Sequence, residues 1–208
     1  MDPNALKFFI YAVIVLSAVF HEYAHGFMAY RLGDSTAKNA GRLTLNPFAH
    51  MELMGTVVIP LFLLYFGGIF IGWAKPVPYN PFNLRDKKYG SLKVGIAGPG
   101  ANIAIALILG TLLRLASAGI FNVLPVSGFF WQAIGLIVYI NIFLALFNLI
   151  PVPPLDGSKV LMDLFPRAGH ALARFGVFGI MLALFLAFMI LPTLANLIFY
   201  AISGYWFS

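Results

Sequence analysis

The sequence predicts an all-α polytopic membrane protein, and three observations carry that prediction. Of 208 residues, 61% are hydrophobic and only 10% charged, whereas about 25% charged is usual for a soluble globular protein. Apolar stretches run from about 5–30, 55–73, 94–119, 129–150, 171–191 and 193–206, and roughly 20 apolar residues cross a hydrocarbon core of about 30 Å as a helix. The net charge of +6 is spread through short loops between those stretches. That distribution suits membrane orientation and argues against a nucleic-acid partner. The expectation is about five transmembrane helices, a re-entrant or bent segment over 55–73 and a short membrane-associated β element near 41–46. All of these fall in a single integral-membrane domain over 1–208, with C-terminal helices in 171–208.

The first stretch contains a run, Phe8 to Phe20, of signal-peptide length. Lys7 is its only nearby basic residue and helix-compatible sequence continues to Tyr30, so it reads as a retained span. In the loop that follows, Gly41-Arg-Leu-Thr-Leu-Asn46 reads as an edge strand closed by Pro47. The 55–73 stretch carries Gly55, Pro60, Gly67, Gly68 and Gly72, a density of breakers that fits a bent segment packed against protein. The 94–119 and 129–150 stretches read as spans, with Asn102 and Asn141 bonding between helices. Pro192 separates the last two stretches and leaves 193–206 marginal. Cysteine is absent, which excludes a disulfide frame and a thiolate metal site.

Two glutamates and four histidines occur in the chain, and three of these six fall in His21-Glu22-Tyr23-Ala24-His25. On a helix, positions i and i+4 share a face, so two imidazoles reach one cation while the glutamate between them addresses its water. A zinc ion so held activates water at neutral pH, and a neighbouring carboxylate accepts the proton. The bland alternative is a polar helix end wetted by headgroup water. Three ionisable groups on adjoining faces of a membrane helix argue against it, because each is costly without a partner.

A catalytic zinc takes three protein ligands and keeps one position open. Asp2, Asp34, Asp86 and Asp163 lie in termini or loops beside basic neighbours and read as solvated charges, and Glu52 is ambiguous. Asp156 ends Asn148-Leu-Ile-Pro-Val-Pro-Pro-Leu-Asp156-Gly157. Its prolines exclude regular helix and hold the chain extended, while Gly157 allows a tight turn, so one carboxylate is fixed at the membrane edge. Asp156 is the expected third ligand.

With these two motifs the chain resembles the site-2 protease family of intramembrane zinc metalloproteases, in a minimal form without the PDZ domain of some members. Gly98-Pro99-Gly100-Ala101-Asn102 also matches a Gly-Pro element of that family, and the resemblance covers a core of about 5–165. It implies one Zn2+ per chain on His21, His25 and Asp156, with Glu22 activating water and Asn148 near the scissile peptide, stabilising the oxyanion. It further implies membrane-protein or membrane-peptide substrates, among them membrane-anchored regulators and leftover signal peptides.

Counting crossings constrains the topology. The histidines fall about 24–30 Å along the first helix, near the far membrane face, and Asp156 must return to that face. If 55–73, 94–119 and 129–150 all crossed, it could not. The basic residues flanking 55–73 place both its ends in the cytoplasm by the positive-inside rule, so this segment is expected to dip in and return. The default location is the plasma membrane, with the site near the cytoplasmic face.

Cleavage inside a bilayer requires an unwound substrate, because a helix hides its peptide bonds. An extended segment around Thr44 is expected to pair with that unwound strand. His50 reads either as an extra ligand or substrate contact or as a hydrogen-bonded surface group. Asn102 has substrate contact as a second reading. A rival function is a transporter whose His, Glu and Asp relay protons or metal, but polar groups would then line a whole path instead of collecting at one depth. The oligomeric state is left open.

Overall fold

The computed structural model describes residues 3–67, 74–120, 128–174 and 176–207. In order they form α1 (Pro3–Arg31), α2 (Thr36–Asn39), α3 (Pro47–His50), a π-helical turn (Leu53–Val58) running into α4 (Ile59–Gly67), a 3-10 turn (Pro81–Asn83), α5 (Gly90–Ser117), α6 (Gly128–Asn148), α7 (Asp156–Leu164), α8 (Pro166–Ala173) and α9 (Gly176–Ser203). Three helices, Asn4–Arg31, Gly90–Ser117 and Gly128–Asn148, are long and apolar enough to cross a membrane, and Leu53–Leu63 and Ala187–Ser203 are shorter apolar helices. The chain divides into two compact units, Met1–Gly98 and Pro99–Ser208.

In the first unit α1 packs against α2 and α3. Ala29, Leu84 and Val94 form a buried cluster at the C-terminal end of α1, flanked by Met28, Leu32 and Tyr79. Further up the helix, Tyr11 donates to the Thr56 carbonyl at 2.8 Å, tying α1 to the π-helical turn. Asp34 is fully buried, contrary to the solvated charge expected from its basic neighbours. Its carboxylate accepts from Thr36 N at 3.1 Å, Asn80 N at 2.6 Å and Asn83 Nδ2 at 2.9 Å, and from the Thr36 hydroxyl. Four donors repay its desolvation.

The second unit is built on α6 against α9. Ile134, Val138 and Ile142 of α6 meet Ala195 and Phe199 of α9, with Ala106 and Leu113 from α5 in the same cluster. Gly110 lets α5 approach α9, since a Cβ there would stand 2.5 Å from Ile202 Cγ2. A second cluster joins Ile150 and Val152 to Ala187 and Leu191.

Two expectations are corrected. No strand occurs among the described residues, and 41–46 is irregular chain. Gly41 has φ +67, and the Thr44 hydroxyl and Asn46 side chain accept from backbone amides two residues on, Asn46 N and Phe48 N, at 3.1 Å each. Such local bonds compete with a strand ladder. The two C-terminal stretches are one helix from residue 176 onward, with Pro192 inside it, and 171–173 belong to α8. Leu191 and Ala195 are buried on either side of Pro192, so packing of this face outweighs the hydrogen bond a proline forfeits, a cost of about 3 kcal/mol. The chain from 55 to 67 is helical, and 68–73, where a re-entrant segment would turn back, lies outside the described residues.

Candidate active site

His21 and His25 sit one turn apart on α1, each only 6% exposed, and their Nε2 atoms are 3.0 Å apart. The partner of His25 Nδ1 is the Val94 carbonyl at 2.6 Å. A nitrogen facing a carbonyl oxygen carries the proton, so the lone pair of the neutral ring is on Nε2, pointing at His21. Two imidazole nitrogens bound tetrahedrally at 2.0–2.1 Å from zinc stand about 3.3 Å apart. The observed spacing is close to that value, and a ring N–H held by a backbone carbonyl is the usual outer support of a ligating histidine. The donor set therefore fits a zinc ion.

The sequence explains why Val94 and the histidines meet. Pro99 lies inside α5 and has no N–H for the Gly95 carbonyl, and the Val94 carbonyl one residue earlier accepts from His25 Nδ1. Gly98 supplies the clearance. A Cβ at that position would stand 2.6 Å from His21 Nε2 and closer still to His25 Nε2. Sequence reasoning noted the Gly-Pro pair without this use for it. A glycine one residue before a helical proline was the available signal.

Glu22, between the two histidines, is half-buried, and its Oε2 accepts from the Val77 amide at 2.7 Å. Val77 stands between Pro76 and Pro78, so its N–H is the only backbone donor of those three residues. Its side chain is 7% exposed and lies against Gly26, where a Cβ would come within 3.0 Å of Val77 Cγ1. The Pro-Val-Pro run was not singled out from sequence.

Thr44 and His50 are brought together. His50 Nε2 donates to the Thr44 carbonyl at 2.8 Å, and the His50 carbonyl accepts from Lys75 N at 2.9 Å. With 1% exposure, His50 is a buried loop tie and not a surface group. Arg42, also buried, donates from Nη2 to the Lys75 carbonyl at 2.6 Å.

In the second unit, Asn148 ends α6 half-buried, with Nδ2 donating to the Leu144 carbonyl at 2.9 Å. Asp156 opens α7, is 6% exposed and accepts from Lys159 Nζ at 2.8 Å. The proline run before it turns instead of extending, through Val152 N to Ile150 O at 2.8 Å and Leu155 N to Val152 O at 2.9 Å. Gly157 allows α7 to start against that turn, since a Cβ there would meet Ile150 O at 2.6 Å. Asn102 is fully buried and donates to Asn141 Oδ1 at 2.8 Å, a bond between α5 and α6.

The sequence model of Peptidase family M50 matches residues 124–192. Three similar proteins are each named "Putative zinc metalloprotease". YwhC of Bacillus subtilis is 38% identical over 81% of this chain and 74% of its own. Rip2 of Mycolicibacterium smegmatis is 31% identical over 93% and 70%, and MJ0611 of Methanocaldococcus jannaschii is 30% identical over 76% and 73%. No solved structure matches the chain at a significant level.

Proposed function

Because the chain belongs to peptidase family M50, the site-2 protease family, we propose that it is an intramembrane endopeptidase that cuts membrane proteins within or near their transmembrane segments. It is a zinc metalloprotease. We assign the metal to His21 and His25 through Nε2 and to the carboxylate of Asp156, one ion per chain. The observation that carries the reading is the imidazole pair, 3.0 Å between Nε2 atoms with His25 Nδ1 held by Val94.

A zinc ion bound there supplies Lewis acidity that activates water and polarises the scissile carbonyl. Glu22 accepts the proton of the attacking water and returns it to the departing amine. The Val77 amide keeps the Glu22 carboxylate oriented for both transfers. Asn148, with one amide hydrogen on Leu144, offers the other to the oxyanion. Lys159 neutralises part of the charge on Asp156 and fixes its rotamer.

The chain is an integral membrane protein in this reading, with α1, α5, α6 and α9 as its spans and 53–67 dipping in from the cytoplasmic side. The plasma membrane is its location. The basic residues Arg31, Lys38, Arg42, Lys75, Arg85, Lys87, Lys88 and Lys93 lie on the cytoplasmic face, with the site beneath them. Its partners are the bilayer and a membrane-protein or membrane-peptide substrate.

In proteoliposomes the protein should cleave a single-span substrate and carry about one zinc per chain. Glu22→Gln should abolish cleavage and keep the metal. Cleavage that survives Glu22→Gln, or that persists after the zinc is removed, would refute the mechanism. Metal or proton flux through the same vesicles without cleavage would favour the transporter.

A further inference from the structure

We infer that the segment from Lys75 to Asn80 is a strap that sets the Glu22 carboxylate, and that Asp34 and Arg42 act on Glu22 through it as positioning residues. This rests on the proteolytic reading above and adds to it two residues, Asp34 and Arg42, that lie outside the His-Glu-x-x-His motif.

The strap is pinned at both ends and touches Glu22 in the middle. At its start, Lys75 donates its amide to the His50 carbonyl at 2.9 Å and accepts from Arg42 Nη2 at 2.6 Å. At its end, Asn80 N donates to Asp34 Oδ2 at 2.6 Å. Asp34 is held in turn by Thr36 and Asn83, and the Asp34 amide donates to the Ala29 carbonyl on α1 at 2.9 Å. Between the pins, Val77 N reaches Glu22 Oε2 at 2.7 Å. Pro76 and Pro78 fix φ on either side and contribute no donors, so the strap is stiff and presents one N–H.

A glutamate has three rotatable side-chain bonds, and a half-buried one would sample several carboxylate positions. A charge-assisted bond from a rigid amide selects one of them. Arg42 and Asp34 lie at opposite ends of the strap, and each buries a charge that would be costly there without a partner. Burying those charges is explained if they hold the strap, and the strap's only described side-chain acceptor at Val77 N is the general base.

Three variants test this. Val77→Pro deletes the N–H together with the valine side chain, Val77→Ala trims the side chain and keeps the N–H, and Asp34→Ala releases the far pin. Val77→Pro and Asp34→Ala should each lower kcat roughly 10- to 100-fold, the scale on which small misplacements of catalytic groups act, with KM and zinc content unchanged. Val77→Ala should lose only a small part of that. In metal-free protein labelled with 15N-valine, the Val77 amide should exchange with solvent at least about tenfold faster in Asp34→Ala and in Glu22→Ala, as expected when local opening becomes easier. If Asp34→Ala leaves Val77 exchange and kcat as in the parent, or if Val77→Ala falls as far as Val77→Pro, the inference is overturned. A parent chain that cuts nothing while Val77 exchange still answers to Asp34 would overturn the protease reading and support the strap.

Discussion

Replacing Gly98 with alanine separates the metal site from the stability of the fold. Gly98 is buried, but the change adds up to about 1 kcal/mol of helix propensity, which offsets part of the local strain, so the protein should remain folded. The new methyl, however, would stand 2.6 Å from His21 Nε2, about 0.8 Å inside the 3.4 Å of ordinary contact, and deeper still against His25 Nε2. The rings cannot both yield without loss, because His25 Nδ1 is held by Val94 at 2.6 Å. Driving one ring about 30° off its rotamer costs 0.5–1.5 kcal/mol, and breaking the Val94 bond costs about 0.5–1.5 kcal/mol more. Together these come to about 1–3 kcal/mol, which at 1.4 kcal/mol per tenfold is about 5- to 150-fold in zinc affinity. Competitive zinc titration against a chelator reads this directly, with unfolding of the metal-free protein as the control. A Gly98→Ala variant that binds zinc within threefold of the parent would refute the assignment of these two nitrogens to the metal.

Other expectations follow from single contacts. Gly157→Ala sets a Cβ against backbone that cannot swing aside, 2.6 Å from Ile150 O, and should destabilise the protein by about 3 kcal/mol, the upper end of ordinary overpacking, in an unfolding titration. Asn102→Ala removes the donor to Asn141 Oδ1 and should cost roughly 1–2 kcal/mol, with the double change Asn102→Ala plus Asn141→Ala less than additive; strict additivity would mean the pair does not interact. Burial alone would raise the Asp34 carboxyl, but its bonds from Thr36, Asn80 and Asn83 outweigh that and hold it below the ordinary 3.8. Its contribution to stability is then full above 3.8 and fades as the pH falls from there through the lower native value. The stability advantage of the parent over Asp34→Asn should therefore narrow below about pH 4, and a constant gap down to pH 3 would contradict it. Asp86, held down to about 2 chiefly by Lys93, titrates alike in both proteins and cancels.

Much of this was legible in the chain before any coordinates. Helical spacing alone put His21 and His25 on one face with Glu22 between them, because a 3.6-residue turn brings i and i+4 together whatever surrounds them. The low charge and the lengths of the apolar stretches required long apolar helices, since few other structures satisfy a backbone in lipid. Asn102 and Asn141 read correctly as bonding between helices, though not as each other's partner, for a similar reason: a buried amide in an apolar helix needs another polar group nearby.

What the sequence left undecided depends on partners distant along the chain. Asp34 looks like any loop aspartate until the amide of Asn80, 46 residues on, covers it. The edge strand expected at 41–46 gave way to turns because Thr44 and Asn46 satisfied local amides first, and Pro192 stayed inside α9 because its neighbours are buried against α6. Local sequence dictates which groups one helical turn can gather. Only the folded chain decides which distant carbonyl, amide or glycine completes their surroundings, because hydrogen bonds and steric gaps between segments arise when those segments pack.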